Sequence, residues 1–132
     1  MAQTIQQQRA AFALQQIEKL TTVEQKDFNS YASGLPAMIH MNGLGQAMAF
    51  CKMKGKDRPS YAALYQLVSA WLCKEGQPYH GKADVLTGII ESDRAKYQLA
   101  QAEALVLMSW VKKFAKAYLA EEKNASSAEK NA

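Results

Sequence analysis

The chain has 132 residues, with 16 Lys or Arg against 12 Asp or Glu, a formal charge of +4 and 48% apolar residues. That length predicts one domain able to bury a core without staples, and the composition is globular rather than disordered or fibrous. No apolar stretch approaches the ~20 residues of a membrane span. The opening MAQTIQQQRA lacks the apolar core of a signal peptide, so the expected location is cytoplasmic, with Cys51 and Cys73 reduced.

Ala, Gln, Leu, Lys and Met are abundant, whereas Val, Ile and Thr are sparse and Pro occurs three times. Straight-chain residues lose little rotamer freedom in a helix, so helix is favoured over strand. Residues 4–20 carry Ile5, Phe12, Ala13, Ile17 and Leu20 at helical spacing. Thr22-Val23-Glu24-Gln25 fits a capping box with Thr22 as N-cap, opening a short helix to Ala32 that buries Phe28 and Tyr31. Ser33-Gly34-Leu35-Pro36 then reads as a stop followed by a restart.

Residues 36–53 contain Asn42-Gly43, a strong β-hairpin signal. The flanks, however, alternate only loosely and lack β-branched residues. Helical spacing gives one stripe of Ala37, Met41, Leu44, Met48 and Cys51 and another of Ile39, Gly43, Ala47 and Phe50. Apolar nearly all round, this segment is expected to be a buried central helix. Gly43 and Gly45 each cost about 1 kcal/mol inside it, which predicts a second helix crossing closely there, or else a kink.

Lys54-Gly55-Lys56-Asp57-Arg58-Pro59 is a basic loop with Pro59 opening the next helix, whose inner face is Tyr61, Leu64, Tyr65, Val68, Trp71 and Leu72. KEGQPYHGK (74–82) is irregular. Residues 84–91 support a short helix with Val85, Leu86, Ile89 and Ile90 inward. Ser92 or Asp93 caps a last helix, about 93–121, with the stripe Tyr97, Ala100, Ala104, Leu107, Met108, Val111, Phe114, Ala115 and Tyr118. The expected architecture is an all-α bundle of about six helices over residues 1–123, followed by a disordered polar tail, 124–132.

Chemistry is sparse. His40, Cys51, Cys73 and His80 include no pair at zinc-ligand spacing, so no metal is expected. Neither cysteine has a nucleophile signature, and Asp84, Glu91 and Asp93 suit helix starts and solvent faces. Gly43-Leu44-Gly45 lacks the third glycine and preceding strand of a dinucleotide fingerprint. Nothing argues for an enzyme, a cofactor or a small-molecule substrate.

Positive charge is the remaining feature. Lys52, Lys54, Lys56 and Arg58 place four cations within seven residues, more than neutralising a helix dipole requires. Lys112, Lys113 and Lys116 form a second set on the outer face of the last helix. Concentrated positive charge suits an acidic partner, nucleic acid being the commonest, although solvated faces look similar.

Two separated motifs resemble a known family. One is Tyr31…Leu35-Pro36…Ile39…Asn42-Gly43-Leu44…Gln46-Ala47…Ala49-Phe50. The other is Tyr97…Glu103-Ala104-Leu105…Trp110-Val111-Lys112-Lys113-Phe114-Ala115. Together with Arg9 and the short middle helices they are similar to the small subunit of Cmr-type (type III-B) CRISPR RNA-silencing complexes, over residues 7–120. The resemblance implies an all-α, non-catalytic subunit in antiviral defence. Its copies stack beside the guide-holding subunits, with a basic face along the target strand of the guide–target duplex. Under that implication Lys52, Lys54, Lys56, Arg58, Lys112, Lys113 and Lys116 are the candidate RNA-backbone contacts, with Arg9, Lys19 and Arg94 in second place. Partners would be other Cmr subunits, copies of itself, guide RNA and target RNA. The competing reading is a helical protein–protein module whose basic faces meet acidic surfaces.

Overall fold

Thr4 starts the first helix: its Oγ1 accepts the Gln7 N–H at 3.1 Å while the Gln7 side chain accepts the Thr4 N–H at 2.8 Å. In the computed structural model, which describes residues 2–119, this helix is the first of six, and no strand forms among the described residues. They are α1 (Ile5–Lys19), α2 (Thr22–Gln25), α3 (Phe28–Lys54), α4 (Pro59–Leu72), α5 (Val85–Glu91) and α6 (Arg94–Tyr118). The expected tail, 124–132, lies outside the described residues.

The capping box ahead of α2 is one residue earlier than expected. Thr21, not Thr22, accepts the Glu24 N–H at 3.2 Å, and Glu24 reaches back to the Thr21 N–H at 2.9 Å. Helix α2 is a single turn, and Asp27 in the left-handed region (φ 60°) redirects the chain into α3. There is no restart at Pro36, which lies inside α3. Pro in a helix interior costs about 3 kcal/mol because it lacks an N–H and crowds the preceding turn. Phe28, Leu35 and Ile39 lie on one face of this segment and are fully or almost fully buried. At ~1.5–3 kcal/mol each, their burial outweighs the proline.

The Asn-Gly pair turns after all, though between helices. Gly43 has φ 87° and ψ 159°, a conformation open only to glycine, and it splits α3 into arms 28–42 and 44–54. A straight helix would hold Tyr31 and Phe50 about 28 Å apart along its axis. Instead both rings touch Tyr61, at 3.9 and 5.5 Å between centroids, so the arms meet at a sharp corner. The break orphans the first N–H groups of the second arm. Two α6 side chains satisfy them: Leu44 N–H donates to Gln101 Oε1 at 2.9 Å and Gly45 N–H to the Tyr97 hydroxyl at 3.0 Å. The expected kink and the expected close approach thus coincide. What approaches is a pair of polar side chains rather than a helix backbone, and a Cβ on Gly43 would lie 3.0 Å from the Tyr97 hydroxyl.

Helix α3 packs chiefly on α6 and α4, and α1 covers α6. The core between them holds Phe28, Leu35, Ile39, Leu44, Met48, Leu64, Trp71, Leu107 and Met108. The expected inner faces of α4 and α6 are buried or half-buried except at Tyr118, which is exposed. Three further corrections follow from the corner and from short-helix geometry. Ala37 and Met41 face solvent, since the first arm buries the Leu35–Ile39 side, and α3 is therefore not apolar-buried all round. Ile90 is 81% exposed, because a two-turn helix has one inner face and Val85 and Ile89 take it.

A junction of three helices lies on the far side of the core. Arg9 (α1) forms a two-pronged ion pair with Glu103 (α6), Nη2 to Oε1 at 2.8 Å, and Trp71 Nε1–H (α4) donates to Glu103 Oε2 at 2.9 Å. Burial pushes the Glu103 carboxyl up, but the bonds from Arg9 and Trp71 and the Arg9 charge outweigh it and hold the group below its ordinary value.

Candidate nucleic-acid interface

The second arm of α3 ends where Gly55 N–H bonds to the Cys51 carbonyl at 2.8 Å. A Cβ on Gly55 would lie 3.0 Å from the Ala62 backbone, so the loop 55–58 is held tightly against the first turn of α4. This junction carries Lys52 and Lys54 on the last turn of the arm and Lys56 and Arg58 on the loop that follows. It also gives three of them internal partners that the sequence does not disclose.

Lys52 lies 4.8 Å above the Tyr65 ring and 3.9 Å from Asp84 Oδ2. Asp84 accepts the Thr87 N–H at 2.9 Å, capping α5, and the Tyr65 hydroxyl at 2.9 Å. Bonds from Thr87, with Tyr65 and the Lys52 charge adding to them, hold the Asp84 carboxyl low against its burial. Burial, then the Asp84 bond and charge, pushes the Tyr65 hydroxyl up to about 12, so it stays a donor. Lys54 sits 5.8 Å from the Phe50 ring centroid, and Arg58 Nη1 donates to the Tyr31 hydroxyl at 3.0 Å. Lys56 is exposed and has no ion pair among the described residues.

On α6, Lys113 and Lys116 are exposed and Lys112 is half-buried, none with an ion pair among the described residues. At 100° per residue, Lys112 and Lys116 share one flank of the helix. The other flank carries Trp110, Phe114 and Tyr118, their rings 5.6 and 6.0 Å apart in succession. No hydrogen bond, ion pair or ring contact joins the two basic sets among the described residues. Of the second-place candidates, Arg9 is committed to Glu103, while Lys19 and Arg94 are exposed at a helix end and a helix start.

Sequence reasoning missed the aromatic part of the junction. Tyr31 and Tyr61 stack at 3.9 Å and 13°, and Phe50 meets Tyr61 edge-on at 5.5 Å. Tyr31 and Arg58, which bond to each other, are 27 positions apart, and no local spacing signals a contact of that kind.

Other chemistry is muted. Burial pushes the Cys51 thiol up to about 12, and Cys73 is also raised, chiefly by burial. Among the described residues no group of three or more His, Cys, Asp or Glu could hold a metal. A cleft of about 600 Å³ opens between Ile5, Gln77, His80, Lys96 and Leu99, and Glu103 at its edge is already bonded to Arg9 and Trp71. None of the described helices is long and apolar enough to cross a membrane.

Among the described residues the chain is thus an all-α bundle whose buried polar clusters hold helices together, with cations and aromatic rings at one interhelical junction. Residues 5–118 match the family of CRISPR-associated protein (Cas_Cmr5), and the chain belongs to that family. It is thereby a small subunit of the type III-B Cmr complex, assembled with other Cmr subunits in CRISPR defence.

Proposed function

We propose that this subunit contacts RNA in the assembled complex through the α3–α4 junction and the lysines of α6, and that it plays no catalytic part. The carrying observation is the run of Lys52, Lys54, Lys56 and Arg58 at the end of α3 and on the loop after it, where Asp57 is the one acidic residue in the run and Lys52–Asp84 the one ion pair these cations make among the described residues. Exposed Lys113 and Lys116 add a second patch. Cations of this kind hold phosphates without reading bases. Lys56, Lys113 and Lys116 are the freest to do so. Lys54 and Arg58 keep donors available beside their aromatic partners, and Lys52 reaches outward only by leaving Asp84. With a net charge of only +4, one copy binds weakly, and affinity grows when copies stack along the complex.

A specific observation favours protein contact elsewhere on the surface. Met41 and Ile90 are 83% and 81% exposed, and burying them against a neighbouring subunit would remove large apolar side chains from water.

The test is charge reversal at Lys54 and Lys56 together, in a reconstituted complex retaining target RNA. Each lost phosphate contact should lower the slope of log affinity against log salt by ~0.7. The double variant is therefore expected to flatten it by ~1.4 while the helical circular dichroism stays unchanged. An unaltered slope and unaltered retention would take this loop out of the RNA path.

A further inference from the structure

The rings at the α3–α4 junction are placed differently from those of the core. Phe28 and Trp71 are wholly buried, whereas Tyr31, Phe50 and Tyr61 all keep part of their surface in solvent. Tyr31 gives one face to Tyr61, and no other ring covers its second face among the described residues. The Arg58 guanidinium donates to the Tyr31 hydroxyl at 3.0 Å in an exposed bond, and the Lys54 ammonium lies 5.8 Å from the Phe50 ring centroid. Stacked rings that keep part of their surface in solvent, with cations beside them, are what single-stranded nucleic acid uses: bases stack on the rings while phosphates meet the charges.

We infer that Tyr31 and Tyr61 form a base-stacking platform for single-stranded RNA. One unpaired base extends the stack on the outer face of Tyr31, and the flanking phosphates meet Arg58, Lys54 and Lys56. The inference rests on the RNA reading above and adds a contact to a base, independent of salt and tolerant of sequence because every base has a π-face. It also gives the Arg58–Tyr31 bond a purpose beyond packing, since it orients a cation at the edge of the platform.

The experiment uses the full chain and two probes of about 12 nucleotides at low salt, a single-stranded oligoadenylate and an abasic ribose-phosphate strand of equal length, read by fluorescence anisotropy across a salt series. The intact strand is expected to bind about fivefold or more tighter than the abasic one at every salt concentration, with equal slopes. Tyr31→Ser should abolish that preference, and Tyr31→Phe, which keeps the ring, should preserve it. Equal binding of the two strands overturns the platform. If charge reversal at Lys54 and Lys56 still weakens both, the electrostatic reading stands without it. Failure of the isolated chain to bind either strand also overturns the platform and leaves the electrostatic reading to the assembled complex. Should Tyr31→Ser fail to fold, the comparison of the two strands on the unaltered chain still decides the matter.

Discussion

Replacing Glu103 by Gln leaves the Arg9 guanidinium without its counter-charge where α1, α4 and α6 meet. The two side chains of this pair keep only 14% and 13% of their exposure. Breaking a fully buried pair by removing one partner costs about 3–5 kcal/mol, and the residual exposure lowers this to about 2–3 kcal/mol. Gln can still accept from Trp71, so the loss falls on the Arg9 contact. At this chain length the melting temperature should drop by about 8–12 °C. The pH dependence follows from the lowered carboxyl of Glu103. A group whose pKa is depressed in the folded state stabilises above its unfolded value, about 4.3, and that stability is lost as pH falls through the folded-state value. The gap between the native chain and Glu103→Gln should therefore be full at pH 7 and shrink on acidification below about pH 4. Urea unfolding monitored by tryptophan fluorescence from pH 7 to pH 3 measures it. A gap under about 0.5 kcal/mol, or one constant across that range, would refute the reasoning, as would full additivity with Arg9→Ala in a double-mutant cycle.

Two glycines of the same helix should respond in opposite directions. Gly34 is exposed, with nothing within 4 Å of an added Cβ, so Gly34→Ala should stabilise by about 0.5–1 kcal/mol in chemical denaturation. Gly43→Ala cannot hold φ 87° and ψ 159° and favours a straight α3, so its arms can make their contacts only with a second chain. Lower stability with a new exchanged dimer in size-exclusion chromatography with light scattering is expected, and a stable monomer would contradict it. Tyr79 is wholly buried and its hydroxyl has no hydrogen-bond partner among the described residues. Tyr79→Phe removes an unsatisfied group at little cost in shape, so stability should be unchanged or higher by up to about 1 kcal/mol, and a loss above that would reveal a partner for the hydroxyl.

Where apolar spacing and local caps agreed, the sequence was readable. The spans of α1, α4, α5 and α6 follow from periodicity, and Asp84 and Asp93 cap as their positions suggest. The Thr21-Thr22 doublet misled because the capping pattern fits twice, to Glu24 and to Gln25. Gly34 and Pro36 misled for another reason: both are local signals, and the buried Phe28–Leu35–Ile39 face overrode them. At Gly43 the local signal was right about a turn and silent on its kind, which the Tyr97 and Gln101 contacts settle from more than fifty residues away. The basic cluster was visible as composition. Its partners Tyr31, Tyr65 and Asp84 were not, since each contact depends on how helices fold back.

The Arg9–Glu103 bond joins positions 94 apart, and Gln6 accepts from Trp110 across 104. Most neighbours in this chain meet over far shorter spans, α3 with α4 across a single loop. During synthesis α1 therefore lacks its principal partner until α6 has emerged, because the four helices between them are made first. Closing so long a loop adds little to the entropy already lost, but it fixes the order of events. Helix α1 waits for α6, and the joining of the two seals the bundle.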